Sequence, residues 1–418
     1  MGWITVALVA VALFGCLLAS VLLNATVQRQ LIFMHRLRWP PVNFQKPGKP
    51  CTIKSMPRIS QLFGLFQGLA NTEAHWIEGH AGPIGLWLTK PNARCAGEHH
   101  SGTFVLYCHG NGENRAWAPA VDKVRQLVAE PICATVVSFD YRGFGDSPGT
   151  PTEAGIVSDA LAVWRWIEAR QAPYERAVLY GHSLGSSVAL QVALRLTARS
   201  ALPEPARPPD ALVLDAAFSS MEDIVTGWLP AATHRLIHEK LATPHRFVSS
   251  NAAKGLPGDL PLLMLHGTDD SVVPVTLGRK LRDAVVRSAR ISWVEIPGAG
   301  HEDAGTTPTA REALRRFLAS GSEPVGATSG EGDFGGGGTG SAACVSTHSA
   351  PACDDQGLNG EQGGGWGGRA PLPSLPDELT FLSADDQQLM QQLDAEIARR
   401  EPQVHDGSGS GSSPGELL

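Results

Sequence analysis

From residue 103 to residue 296 the chain alternates short apolar runs with longer amphipathic stretches. TFVLYC (103–108), ATVVSF (134–139), AVLYG (177–181), ALVLD (211–215), LPLLMLHG (260–267) and ISWVEI (291–296) are apolar for nearly their whole length. Continuous runs without period-two alternation predict strands buried on both faces, the habit of parallel sheets. The stretches between them, such as 153–170 and 183–198, have helix length. The pattern therefore predicts an α/β fold, a mostly parallel sheet flanked by helices on both faces. Thr150, with Glu153 three residues later, predicts a capping box ahead of AGIVSDALAVWRWIEARQ.

The two ends of the chain follow other patterns. WITVALVAVALFGCLLASVLL, residues 3–23, contains no charge. It is long enough to cross ~30 Å of hydrocarbon as a helix. It lacks the basic start and short apolar core of a cleaved signal peptide, so residues 1–24 are read as a transmembrane anchor. Residues 25–70 form a juxtamembrane connector. Within it, VQRQLIFMHRLRW either lies along the membrane surface or is a helix stub ending at Pro40-Pro41. Arg29, Arg36, Arg38, Lys46 and Lys49 all follow the span, a bias that favours a cytoplasmic domain. The globular domain is expected over 71–318. Beyond 319, stretches such as SGEGDFGGGGTGS and EQGGGWGG cannot bury enough surface to fold. One island, 376–400, has Leu389, Met390, Leu393 and Ile397 on one helical face; it is read as disordered with a transient helix, which could dock on the domain, bind a protein partner or do neither.

Composition narrows the function classes. A hydrophobic fraction of 43% supports a sizeable core, and a net charge of -7 with no basic stripe argues against a nucleic-acid partner. Seven cysteines without a C-x-x-C pair read as reduced thiols and not as a disulfide framework. His99-His100 lacks the i, i+4 spacing of a zinc helix, and no phosphate-binding G-x-x-x-x-G-K-[ST] loop occurs. No metal or cofactor is expected.

The candidate chemistry lies in G-x-S-x-G, which occurs as GDSPG (145–149), GHSLG (181–185) and GSSPG (411–415). A nucleophile elbow needs a buried strand turning sharply into a helix. Only GHSLG has this setting, between AVLY and SSVALQVALRL. In GDSPG and GSSPG a proline follows the serine and removes the N–H that half of an oxyanion hole requires. Ser183 is the candidate nucleophile. Downstream, LLMLHGTDDSVVP places two acids at the C-terminal end of a strand, where open α/β sheets build their sites. Asp270 is the preferred triad acid, with Asp269 and Asp215 as fallbacks. His301, in PGAGHED after the last strand, is the candidate general base. Leu184 and Asn111 are the expected backbone donors of the oxyanion hole, and His109 shapes the turn beside Asn111.

HGN (109–111), DYRGFGDSPGTPTEAG (140–155), GHSLG, HGTDDSVVPVTLGRKL (266–281) and GAGH (298–301) resemble the membrane-anchored α/β-hydrolase-domain proteins. Within them the chain is most similar to the alpha/beta-hydrolase domain-containing protein twelve branch, over about 71–318. The resemblance implies the α/β-hydrolase fold, a lid at about 217–258, and serine lipase activity on monoacylglycerols and lysophosphatidylserine. It also implies a structural role for GDSPG and a domain facing the lumen of the endoplasmic reticulum, opposite to the charge reading. Relatives usually show Ala after HGN, whereas this chain has Gly112 and Glu113.

The expected function is thus a single-pass membrane serine hydrolase acting on lysophospholipid or monoacylglycerol esters, at the endoplasmic reticulum or another endomembrane. Its partners are the membrane and its lipid substrate. An acyl-protein thioesterase, a peptidase with the same triad, and a non-catalytic membrane adaptor on a hydrolase fold are the alternatives.

Overall fold

The computed structural model describes residues 2–3, 5–6, 9, 13, 16, 24–35, 44, 69–95, 102–171, 174–198, 206–227, 245–285 and 290–320. Most of the apolar span, most of the connector, the middle of the expected lid, His99-His100, GSSPG and the tail beyond 320 lie outside them.

Eight strands form one sheet. They are β1 (Thr72–Gly79), β2 (Gly82–Thr89), β3 (Thr103–Cys108), β4 (Thr135–Phe139), β5 (Arg176–His182), β6 (Ala211–Asp215), β7 (Pro261–Gly267) and β8 (Arg290–Ile296). Their order is β1-β2-β4-β3-β5-β6-β7-β8. The six apolar runs become β3 to β8, which pair in parallel. The hairpin of β1 and β2 extends the sheet antiparallel beside β4, and the apolar-run pattern did not predict it.

The helices are α1 (Ala25–Phe33), α2 (Ala118–Val128), α3 (Glu153–Gln171), α4 (Leu184–Thr197), α5 (Met221–Gly227), α6 (Ser249–Lys254), α7 (Val275–Val285) and α8 (Pro308–Ser320). Leu106, Val137, Leu179, Leu212 and Leu262 pack in one core with Val157 of α3, Val188 of α4 and Leu281 of α7. Their chain neighbours Val105, Val136, Val178, Val213 and Leu263 pack in a second core with Val124 of α2 and Leu314 of α8. Successive side chains of a strand point to opposite faces, so two covered faces require the unbroken apolar runs. The strand order reverses at β3, so the carboxyl ends of β3 and β5 open on the crevice where such sheets place their sites.

Two local readings change. Glu153 does not close a capping box with Thr150. Thr152 Oγ1 caps α3 by accepting the Gly155 N–H at 3.0 Å, and the Glu153 carboxylate instead accepts from Gln191 Nε2 and the Phe247 N–H. The expectation of reduced thiols is corrected by a disulfide between Cys95 and Cys133, 38 residues apart in sequence. It ties the segment after β2 to the entry of β4, and spacing alone carries no signal for such a pair. Cys108 stays a free, buried thiol that desolvation pushes up to about 12.

The connector also contributes to the core. Asn24 starts α1 by accepting the N–H groups of Thr26 and Val27 on its side chain, and Met34 ends it in the left-handed region at φ 44°. Phe33 is fully buried against His245, Phe247 and Phe144, with ring centroids at 5.1, 5.9 and 6.4 Å. Gly2 and, within the apolar span, Trp3, Thr5, Val6, Val9, Leu13 and Cys16 are helical. Among the described residues no helix is long and apolar enough to cross a membrane.

Candidate active site

Ser183 stands between β5 and α4 with φ 52° and ψ -119°, a left-handed setting that costs a non-glycine residue free energy. Its surroundings hold it there: its N–H donates to Asp215 O at 2.9 Å, and its carbonyl accepts the Ser186 N–H at 2.9 Å. The glycines of GHSLG are required by contact. A Cβ on Gly181 would lie 2.2 Å from Gly185 O, and one on Gly185 would lie 2.0 Å from Cys108 O.

The structure brings Ser183, His301 and Asp270 together in one line. Ser183 Oγ lies 3.0 Å from His301 Nε2, and His301 Nδ1 lies 2.7 Å from Asp270 Oδ2. Asp270 is buried at the C-terminal end of β7, and its other oxygen accepts the N–H groups of Val272 and Val273. Asp269 instead lies exposed, accepting from Thr268 Oγ1. Asp215 is enclosed below the site, 3.7 Å from Lys123 Nζ and 3.2 Å from Tyr180 OH.

The electrostatics suit a base held by an acid. Burial works to lower the His301 pKa, but the hydrogen bond and charge of Asp270, with help from Glu302 and Glu113, raise it. Burial works to raise the Asp270 carboxyl, and the His301 contact with the Val273 N–H outweighs it, leaving the carboxyl lowered.

Side chains clamp the His301 loop through its backbone. His182 Nε2 donates to His301 O at 3.1 Å, Lys123 Nζ to Glu302 O at 2.7 Å, and Gln126 Nε2 to Gly305 O at 2.8 Å. Sequence reasoning missed all three clamps, because a carbonyl partner leaves no trace in the sequence.

Leu184 is the first residue of α4, where backbone N–H groups have no intrahelical partner. Asn111 sits in the turn after β3, and its Oδ1 is buried without a partner. The neighbouring Gly112 N–H donates to Phe33 O at 3.2 Å, which ties this turn to α1. His109 is fully buried with Nδ1 2.8 Å from Gly110 O, and burial pushes its pKa down to about 4. It shapes the turn.

Ser147 of GDSPG is also fully buried. Its Oγ donates to Asp140 O and accepts the Gly85 N–H, so it braces a loop. Around it, Arg115 bridges Asp140 and Asp146, and Arg142 forks onto Asp159.

Among the described residues, Glu113, His182 and Glu302 offer potential ligand atoms within 4.8 Å of one another. Both ring nitrogens of His182 already make protein hydrogen bonds, so a cation there would have to displace one.

The sequence pattern of the Alpha/beta hydrolase family matches residues 105–315, a span that holds all three residues of the line. The chain is 31% identical over 320 residues to the "Lysophosphatidylserine lipase ABHD12" of Macaca fascicularis, covering 71% of this chain and 75% of that protein. It is 33% identical over 270 residues to "Protein ABHD12B" of Homo sapiens, covering 56% and 69% respectively. An alpha-beta hydrolase structure from Vibrio vulnificus aligns with a TM-score of 0.48 at 18% identity, covering 69% of this chain and 93% of that one. By the matched span and by the parallel sheet that carries it, the chain belongs to the alpha/beta hydrolase family.

Proposed function

We propose that this protein is a membrane-anchored serine lipase that cleaves the acyl ester of lysophospholipids or monoacylglycerols through an acyl-enzyme. The observation that carries the reading is the line from Ser183 Oγ through the His301 ring to Asp270. Asp270 keeps the imidazole in the tautomer whose bare Nε2 faces Ser183. His301 takes the hydroxyl proton as Oγ attacks the ester carbonyl carbon. The backbone N–H groups of Leu184 and Asn111 receive the developing oxyanion. Collapse of the tetrahedral adduct breaks the ester bond, and His301 gives its proton to the departing alcohol oxygen. Water then repeats the sequence on the acyl-Ser183, releasing the fatty acid and restoring the serine.

The lipid substrate class rests on the relatives named lysophosphatidylserine lipase and on the apolar segment at 3–23, which would hold the domain where amphiphilic esters partition. The Cys95–Cys133 disulfide favours an oxidising compartment, hence the lumenal side of an endomembrane, against the charge bias of the connector.

A fluorophosphonate probe tests the reading on wild type and Ser183→Ala. Labelling of wild type alone, with hydrolysis of lysophosphatidylserine or monoacylglycerol in a panel that includes acyl-thioesters, is the expected result. Absent labelling, or labelling that survives the alanine, refutes the serine mechanism. Turnover of thioesters alone replaces the lipase reading with a depalmitoylase.

A further inference from the structure

Behind the serine lies a second imidazole that the proposed mechanism leaves idle. His182 is the last residue of β5 and is fully buried, its ring centroid 5.1 Å from that of His301. Its Nε2 lies 3.1 Å from His301 O, and its Nδ1 lies 3.0 Å from Glu113 Oε1. A carbonyl oxygen only accepts, so the first contact requires the hydrogen on Nε2.

Glu113 comes from the turn after β3 and is itself buried. Its place is built in: a Cβ on Gly110 would lie 2.4 Å from Glu113 Oε1 and 3.1 Å from His182 Nδ1. Lys123, Asp215, His301 and Glu302 are the other charged or titratable groups whose fields reach the ring. Desolvation, helped by Lys123, pushes the His182 pKa down to about 4, so the ring by itself carries one proton near neutral pH and has two tautomers to choose from. With the hydrogen on Nδ1, a bare Nε2 would face the lone pairs of His301 O, and that clamp on the loop would be lost.

We propose that Glu113 is a positioning residue of the reaction: through its contact with Nδ1 it fixes the His182 ring that holds the His301 carbonyl, and so aims the general base at Ser183. The inference rests on the serine mechanism proposed above. It concerns a residue that touches neither the substrate nor the reacting atoms. Glutamine in its place keeps an N–H that can donate to Nδ1. Alanine leaves the Nδ1 side of the ring without that partner.

The test compares the full chain in detergent as wild type, Glu113→Gln, Glu113→Ala and Ser183→Ala. Fluorophosphonate labelling rate, kcat and KM on p-nitrophenyl butyrate, and Tm are measured for each. Glu113→Ala is expected to lower labelling rate and kcat about 10-fold with KM unchanged, the scale of one buried hydrogen bond. Glu113→Gln is expected to restore both. Should the alanine protein fail to fold, Glu113→Met, which keeps the volume without the acid, takes its place under the same criteria. Wild-type rates in the alanine or methionine protein, or a glutamine protein as slow as the alanine one, overturn the proposal. Those outcomes leave the serine mechanism standing as long as wild type labels and Ser183→Ala does not. A wild type that never labels removes both.

Discussion

Phe33 O accepts the N–H of Gly112 at 3.2 Å, so the helix that follows the apolar segment is bonded to the turn that carries Asn111. The Phe33 ring is buried among Phe144, His245 and Phe247. Phe33→Ala should cost about 3 kcal/mol of stability by emptying that site. It should also slow hydrolysis of a soluble short-chain ester, because the turn loses its support. Leu31→Ser, on the exposed side of the same helix, should leave both unchanged. Melting curves beside kcat on p-nitrophenyl butyrate check this, and a full-rate Phe33→Ala protein would disconnect α1 from the chemistry.

The two adjacent acids should separate cleanly. Asp270 hydrogen-bonds His301 at 2.7 Å, whereas Asp269 faces Thr268 and solvent. Asp270→Asn should lower kcat by roughly 1,000- to 10,000-fold, as a triad asparagine stabilises the wrong tautomer. Asp269→Asn should stay within about twofold of wild type. Equal losses in both would mean that the acid has been misidentified.

Activity should rise with pH through a midpoint above 6.5. The general base works as neutral imidazole, and the net effect on His301 is a raised pKa despite its burial. Asp270→Asn removes the largest raising contribution, so the residual activity of that variant should have its acid limb at lower pH. The same pair shapes stability. A raised histidine stabilises the fold below its unfolded value and loses this as pH climbs through the folded one. A lowered carboxyl such as Asp270 contributes above 3.8 and loses this as pH falls. A profile of kcat/KM against pH for both proteins, with its wild-type midpoint below 6.5, would contradict the arrangement.

Reduction should weaken the fold. Opening the Cys95–Cys133 bridge frees a 38-residue separation, and bridges of this kind contribute about 2–4 kcal/mol. Dithiothreitol and Cys133→Ser should lower Tm to the same extent, and the reductant should have no further effect on the variant. Iodoacetamide on the native protein should spare the buried Cys108.

The parts of the molecule legible in the sequence are those in which one residue's surroundings are its chain neighbours. Leu106 and Val105 both being apolar already implies two covered faces, and β3 to β8 follow from such runs. Gly181 and Gly185 flank Ser183 because the elbow leaves no room for a Cβ, so the motif in its strand-to-helix setting marked the serine. Contacts between distant segments were not legible. Cys95 meets Cys133, Phe33 meets Phe247 and Glu113 meets His182 only after the sheet has formed. The capping box failed for a related reason. Glu153 lies at the right spacing from Thr150, but Gln191 and the Phe247 N–H, brought in by folding, take its carboxylate.

His301 rides on a segment gripped by its main chain. His182, Lys123 and Gln126 take hold of carbonyl oxygens, and every amino acid has one. Side chains at positions such as Glu302 are therefore free to vary without disturbing the aim of His301. Substitutions that tune the rim of the site can accumulate there, while the three clamping residues, far away in sequence, must stay as they are.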